Sequence, residues 1–491
     1  MANTPHPDQG SDLSGNAATS VARPISGIEG NLGMADKNLE RSLQNRHIQL
    51  IAIGGAIGTG LFMGSGKTIA TAGPAILFVY LLIGAALFVF MRAMGELLLA
   101  NTSGSFADLA TQLIGPWAGF VVGWSYWLTW VVTGVADMVA IVGYSRFWWA
   151  DIPAWIPVVL TVALLITLNA MTVKAFGEIE FWFALVKILA IVSLIIVGIW
   201  MVFRGQINEA GTAAAVSNLW NHGGMFPHGA SGFIAAFPLA IFAFSGIELV
   251  GTTVAETKDP EVTLPKAINS IPVRIMLFYV LALAAIMMVT PWNQIDPEKS
   301  PFVTMFALTG LGAAATVVNI VVLSSAASSA NSGIYSTSRM LWGLAHQGSA
   351  PELFGVLSRR RVPLNALFLS CVLLLTSIVL LLAGDSVLGA FTMVTAMSAT
   401  LFMVTWAFIL VAYLRHLKQN PEAHQKSTFK SPGGAVGAWL VLAFLACMVV
   451  ILSIEAETRI GLIATAVWMV GITVVARRST KNHPNAAAHH A

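Results

Sequence analysis

Long apolar runs separated by short polar stretches make up most of this chain. A helix needs about 20 consecutive apolar residues to cross the hydrocarbon layer of a bilayer. Twelve runs suit that length, near residues 48–69, 73–99, 118–145, 154–173, 180–203, 231–253, 273–292, 310–338, 363–383, 387–414, 435–454 and 460–476. The pattern predicts an all-α polytopic membrane protein with twelve transmembrane helices. The segment 301–309 is too short to cross and is expected at the interface. Two runs are interrupted. The first contains Gly54-Gly55-Ala56-Ile57-Gly58-Thr59-Gly60, and the sixth contains Phe242-Ala243-Phe244-Ser245-Gly246-Ile247-Glu248.

Composition agrees with the pattern. Hydrophobic residues make up 56% of the 491 positions and charged residues only 10%, against about 25% charged in an ordinary soluble domain. Residues 1–40 are polar, have no apolar core of a signal peptide, and are expected to be a disordered cytoplasmic tail. The membrane-spanning body is expected over 41–478, with a second disordered tail at 479–491. The closing Ala and His residues read as low complexity rather than a metal site. Cys371 and Cys447 both lie inside apolar runs and read as small buried hydrophobes, with no disulfide framework.

The net charge of +3 says nothing of nucleic acid, but the placement of the bases orients the spans. With an even span count and both termini in the cytoplasm, twenty Lys and Arg residues fall inside, among them Arg359, Arg360 and Arg361. Five fall outside: Lys67, Arg146, Arg204, Lys299 and Arg459. That asymmetry satisfies the positive-inside rule, and the inverse topology violates it. Trp148, Trp149, Trp155, Trp220 and Trp292 then gather at the outer interface.

The breaks carry the chemistry. Matching interruptions in two halves of a membrane protein point to a transporter site between inverted repeats. Here 48–203 forms a first repeat, 231–414 a second of opposite topology, and 435–476 two further helices outside the repeat. Freed N–H groups at Thr59 and Gly60 open a half-helix and suit a carboxylate. Freed carbonyls near Ala56 and at Phe242, Ala243 and Phe244 suit an ammonium. An amino acid zwitterion matches both ends, so Ala56, Ile57, Gly58, Thr59, Gly60, Phe242, Ala243, Phe244 and Ser245 are the candidate substrate-binding residues. The competing reading of these glycines is close helix packing, since Gly54 and Gly58 have small-xxx-small spacing.

Ionisable residues at membrane depth are costly and by default functional. Lys187 in the fifth run is a candidate for exchanging a proton during transport, or else snorkels to the interface. Glu248 is either a proton-linked carboxylate or an acceptor tying the unwound segment in place. Thr129, Trp130, Thr133, Asp137 and Asn331 are candidates for the pocket wall. Arg92 and Glu96, one turn apart, read as an interfacial i,i+4 pair. No phosphate-binding Gly-x-x-x-x-Gly-Lys-Ser/Thr motif is present, so no ATP site is expected. No metal or other cofactor is expected, and no nucleophile with its base argues for an enzyme.

The stretch Arg46 to Phe62, with Phe244-Ser245-Gly246-Ile247-Glu248, Glu256-Thr257-Lys258-Asp259-Pro260 and Leu264-Pro265-Lys266-Ala267-Ile268, resembles the amino acid transporter family of the amino acid–polyamine–organocation superfamily, over about residues 38–478. Within it, Arg92 to Leu99, Lys174 to Ala184 and Ser324 to Gly333 resemble the branch that carries D-serine, D-alanine and glycine. The resemblance implies a LeuT-type 5+5 inverted-repeat fold in a bacterial inner membrane, and proton-coupled import of those small neutral amino acids by alternating access. It also implies carboxylate binding by the Thr59 and Gly60 amides, a hydrophobic gate at Phe242, and proton coupling at Lys187 and Glu248. The same fold carrying 4-aminobutyrate or another amino acid, or exchanging amino acids without net proton movement, is the alternative.

Overall fold

The computed structural model describes residues 55–100, 105–171, 173–208, 210–252, 259–311, 313–384 and 386–482. The expected tail at 1–40, the start of the first run through Gly54, the Glu256-Thr257-Lys258 motif and residues 483–491 lie outside the described residues.

The described chain is helical, with one isolated antiparallel bridge between Ile207 and Ala213. In order the helices are α1 (Thr59–Phe62), α2 (Gly64–Ala72), α3 (Ile76–Ala100), α4 (Phe106–Leu113), α5 (Pro116–Ser145), α6 (Trp155–Asn169) and α7 (Val173–Arg204). Then come α8 (Gly229–Ala235), α9 (Phe237–Ala243), α10 (Leu249–Thr252), α11 (Pro260–Val289), α12 (Pro301–Ala307) and α13 (Ala314–His346). The last are α14 (Leu364–Leu374), α15 (Thr376–Ala383), α16 (Val387–Gln419), α17 (Pro421–Lys426), α18 (Gly434–Leu452) and α19 (Ala456–Asn482).

Nine helical runs among the described residues are long and apolar enough to cross a membrane, and Trp155–Asn169 and Gly229–Ala243 are shorter apolar helices. One of the nine, Gly64–Ala100, holds two expected spans. Gly73 at φ 61, followed by Pro74, divides it, because that backbone region is open to glycine at little cost. Several helices outrun their apolar stretches. α11 begins at Pro260 rather than near 273, α13 continues to His346, and α19 reaches Asn482. Backbone hydrogen bonding carries a helix past the point where its side chains turn polar.

Burial separates a core from a rim. In the apolar windows, 89% of α5 and 72% of α13 and α16 are buried, against 28% of α7 and 17% of α19. α5 packs directly on α13 and α16. Phe203, Leu382, Val467 and Leu440 are exposed, the apolar exterior that lipid would cover. Cys371 is buried as expected, but Cys447 is exposed on this apolar rim.

Segments assigned to one side of the membrane by their charges meet at one end of the bundle. Lys67 pairs with Glu457 at 2.6 Å, Ser300 Oγ donates to Phe62 O at 2.7 Å, and the His228 ring meets Trp292 edge-on. Segments assigned to the other side also meet. Arg92 donates to Asn269 Oδ1 at 2.7 Å and to Lys430 O, and Arg415 donates to Leu113 O and Ile114 O. Arg92 and Glu96 do not form the expected i,i+4 pair. Glu96 is buried and accepts from the Tyr413 hydroxyl at 2.7 Å and Ser431 N at 2.8 Å, with His424 Nδ1 against its other oxygen. Partners from distant segments outcompete the neighbour one turn away.

Candidate functional site

Both interrupted runs are broken where their glycines fall. In the first, helix holds through Ala56, Ile57 and Gly58 are unwound, and helix resumes at Thr59. α1 and α2 run on through Met63, whose N–H donates to Thr59 O at 2.8 Å. In the second, α9 ends at Ala243, Phe244 to Glu248 form consecutive turns, and α10 starts at Leu249. Gly246 sits at φ 94, and a Cβ there would meet Gly55 O at 2.8 Å. A Cβ on Gly60 would meet Ala243 Cα at 2.5 Å. These glycines therefore let the two breaks pack backbone to backbone, so close packing and site formation are one arrangement.

Between the breaks lies a small cavity lined by Ala56, Gly58, Thr59, Gly60, Phe242 and Ser245, with Gly55, Trp130, Thr133 and Ser329. The N–H groups of Thr59 and Gly60 open α1 and find no acceptor among the described residues. Ser245 Oγ and Trp130 Nε1 are buried without a hydrogen-bond partner there. A buried polar group left unsatisfied costs about 1–3 kcal/mol, so this wall suits a polar guest.

The expected carbonyls are partly engaged. Tyr279 Oη lies 2.8 Å from Ala56 O and 2.7 Å from Ala243 O, its one proton shared between the two breaks. Phe242 O accepts from Ser245 N at 3.0 Å, and Ile57 O accepts from the Ser325 hydroxyl at 3.1 Å. A carbonyl has two lone pairs; Ala56 O also accepts from Gly58 N at 3.1 Å and Phe242 O from Phe244 N, so of these four it is Ala243 O and Ile57 O that retain one for a guest. The Phe244 side chain does not line the cavity but packs between Tyr80 and Tyr279.

The other candidates divide. Trp130 and Thr133 line the cavity, and Thr133 shares a 2.6 Å hydrogen bond with Ser398. Thr129 is not on the wall; its hydroxyl donates to Ser125 O one turn back. Asn331 is not on the wall either, because its amide donates to Glu180 Oε2 at 3.2 Å and its carbonyl accepts from Asn169. Asp137 stands directly behind the wall and accepts from the Thr59 hydroxyl at 2.8 Å. Glu248, fully buried, accepts from Tyr126 at 3.4 Å and from Trp406 Nε1 at 3.3 Å, outside the cavity. Lys187 is 0% exposed, so it does not snorkel to the surface. The carboxyl groups whose charge acts on it are Glu180 and Asp137.

Three residues were not singled out from the pattern. Ser329 is one of a run of small residues, where nothing marks the inward member. Tyr279 carried a usable signal, since a hydroxyl inside an apolar run needs a partner. Glu180 stands at the very start of its apolar run and so reads as a boundary residue. In the folded chain it is fully buried and accepts from Ser328 and Asn331.

A family model described as amino acid permease matches residues 47–487. The chain belongs to the amino acid permease family. It is therefore a membrane transporter of amino acids. The D-serine/D-alanine/glycine transporter of Escherichia coli (strain K12) is 58% identical over 439 residues, covering 89% of this chain and 93% of that protein. The amino-acid permease AapA of Bacillus subtilis (strain 168) is 46% identical over 453 residues, covering 92% and 97%. The aromatic amino acid transport protein AroP of Escherichia coli O6:H1 is 38% identical over 435 residues, covering 88% and 94%. Relatives of the permease are thus named for amino acids of different size.

Proposed function

We propose that the permease imports small neutral amino acids, D-alanine, D-serine and glycine, with a proton as the coupling ion. The observation that carries this reading is the cavity enclosed by both helix breaks. Its wall brings the small residues Ala56, Gly58, Gly60 and Ser245 up against Trp130 and Phe242, a narrow space that suits a short side chain. The unpaired Thr59 and Gly60 amides take the carboxylate. Carbonyls at the ends of the half-helices and Ser245 Oγ take the ammonium. Identity to a transporter named for these three substrates supports the choice.

Around that site the chain forms a twelve-helix LeuT-type body over 41–478, with repeats at 48–203 and 231–414 and both termini in the cytoplasm of a bacterium. Alternating access moves the two halves around the fixed site. Lys187, Asp137 and Glu180 make up a buried group of charges reaching Thr59 through Asp137. Lys187 carries the proton, Glu180 holds the compensating charge, and Glu248 braces the second break while sensing protonation. One proton supplies about 1.4 kcal/mol per pH unit and about 2.3 kcal/mol per 100 mV, enough to concentrate a neutral solute by two or three orders of magnitude.

The test is uptake of labelled D-alanine into proteoliposomes under an imposed pH gradient, with glycine, D-serine and 4-aminobutyrate as competitors. Accumulation above equilibrium that glycine and D-serine inhibit, and that Lys187→Met reduces to passive equilibration, is expected. Transport of 4-aminobutyrate in place of D-alanine would sink the substrate assignment. Accumulation unchanged in Lys187→Met would remove the lysine from the coupling step.

A further inference from the structure

Several arginines of this chain are engaged by the protein itself. Arg92 and Arg415 donate to backbone carbonyls, and Arg339 stacks on the Tyr335 ring. Three consecutive bases, Arg359, Arg360 and Arg361, stand apart. All three are exposed. Arg360 reaches back to Ala170 O at 3.4 Å, while Arg359 and Arg361 make no hydrogen bond or ion pair among the described residues.

Their setting is fixed. They lie in the connection 347–363 between α13 and α14. Its Phe354 packs against the buried group Trp127, Val131, Leu341 and Ala366, and Asn365 Nδ2 donates to Leu353 O at 2.8 Å. The arginines form the tip of a tight turn. Ser358 N donates to Val362 O and Arg361 N to Ser358 O, both at 2.9 Å, and Val362 N donates to Ser358 Oγ at 3.2 Å. Val362 is buried beneath them. Arg361 sits at φ 58, in the left-handed region that glycine occupies at no steric cost. An arginine held there against its backbone preference points to a use for the side chain. Orienting the spans needs the charges but not this rigid turn.

The turn also stands at the level of a bilayer surface. α14 begins at Leu364, and its exposed apolar stripe starts at Phe368 and continues at Val372. Four residues of helix rise by about 6 Å, close to the depth of one headgroup layer, about 5–7 Å. On the same connection Leu353 and Val356 are exposed, apolar groups that a membrane interface would cover. Guanidinium forks match the oxygens of a phosphate in pairs.

We propose that the Arg359-Arg360-Arg361 turn is a binding site for the headgroup of an anionic phospholipid, with Arg359 and Arg361 holding the phosphate and Leu353 and Val356 seated in the interface beside it. Binding fastens the adjoining ends of α13 and α14 to one leaflet. The inference is independent of which amino acid is carried.

The test is native mass spectrometry of the purified full-length protein in detergent micelles, titrated with phosphatidylglycerol or phosphatidylcholine, with thermal unfolding in parallel. The protein is expected to hold at least one phosphatidylglycerol about 10-fold more tightly than any phosphatidylcholine. In Arg359→Gln/Arg361→Gln that lipid should be held about 100-fold more weakly, about 10-fold for each charge-assisted hydrogen bond lost. Arg361→Gly removes one guanidinium and relaxes the backbone, so it should weaken phosphatidylglycerol about 10-fold without lowering the melting temperature in phosphatidylcholine. A lower melting temperature with lipid binding unchanged would make the turn merely structural and overturn the proposal. Equal retention of the two lipids, or a phosphatidylglycerol preference that both variants keep, also overturns it. So does displacement of phosphatidylglycerol by inorganic phosphate, which would mark a site for a free anion.

Discussion

The two helix breaks use the same device with opposite emphasis. At the first, the chain leaves the helix for two residues, Ile57 and Gly58, and presents bare amides to the cavity. At the second it leaves for five residues, Phe244 to Glu248, and side chains brace it: Glu248 is anchored on Tyr126 of α5 and Trp406 of α16. Tyr279 bridges the carbonyls of both. The difference teaches that a short break functions as a binding end while a long one needs a scaffold, since each unwound residue frees backbone groups that a dry interior must satisfy.

Variants can break or sharpen this contrast. The largest effect is expected at Gly60, where any side chain meets the backbone of Ala243. Gly60→Val should lower D-alanine uptake by about 100-fold or more, since even a displacement of about 1 Å in a binding geometry costs that much. Near-normal uptake would show that the first break does not form the site. At the second break, Glu248→Gln keeps an acceptor for Tyr126 but turns an amide toward Trp406. Thermal unfolding should report a loss of about 1–3 kcal/mol, with D-alanine affinity changing less than about 3-fold because Glu248 is off the cavity wall. Lost affinity at unchanged stability would reverse that division of labour. The smallest effect is expected for Ser329→Ala, which removes one hydroxyl from the wall and should raise KM by about 2- to 10-fold, the net worth of one neutral hydrogen bond. An unchanged KM would place that hydroxyl away from the substrate.

The breaks were legible because runs of glycine inside apolar spans offend the one strict rule of lipid, that backbone groups be paired. The order of the apolar helices followed from length, but their number did not: among the described residues nine runs, one of them holding two expected spans, are long and apolar enough to cross, and two more are shorter. The wall of the cavity was less legible. α5 and α13 are buried on nearly every face, so periodicity could not tell Thr133, which lines the cavity, from Thr129, which bonds its own helix. Asn331 looked like a wall residue because it is polar in a buried stretch, yet Glu180 and Asn169 satisfy it. Glu96 found its partners across more than 300 residues of sequence, in Tyr413 and Ser431, where local spacing had pointed to Arg92. Tertiary partners of this kind leave no mark on a single chain.

The central claim is that the two breaks together read a zwitterion, one end taking each charge. It is tested most directly by inhibition of labelled D-alanine uptake with unlabelled D-alanine, its methyl ester and its N-acetyl derivative. Each blocked analogue removes one charge and leaves a buried partner unpaired. Both should inhibit at least about 100-fold more weakly than D-alanine itself. An analogue that competes as well as D-alanine would contradict the account, because the break assigned to its missing charge would then have no part in recognition.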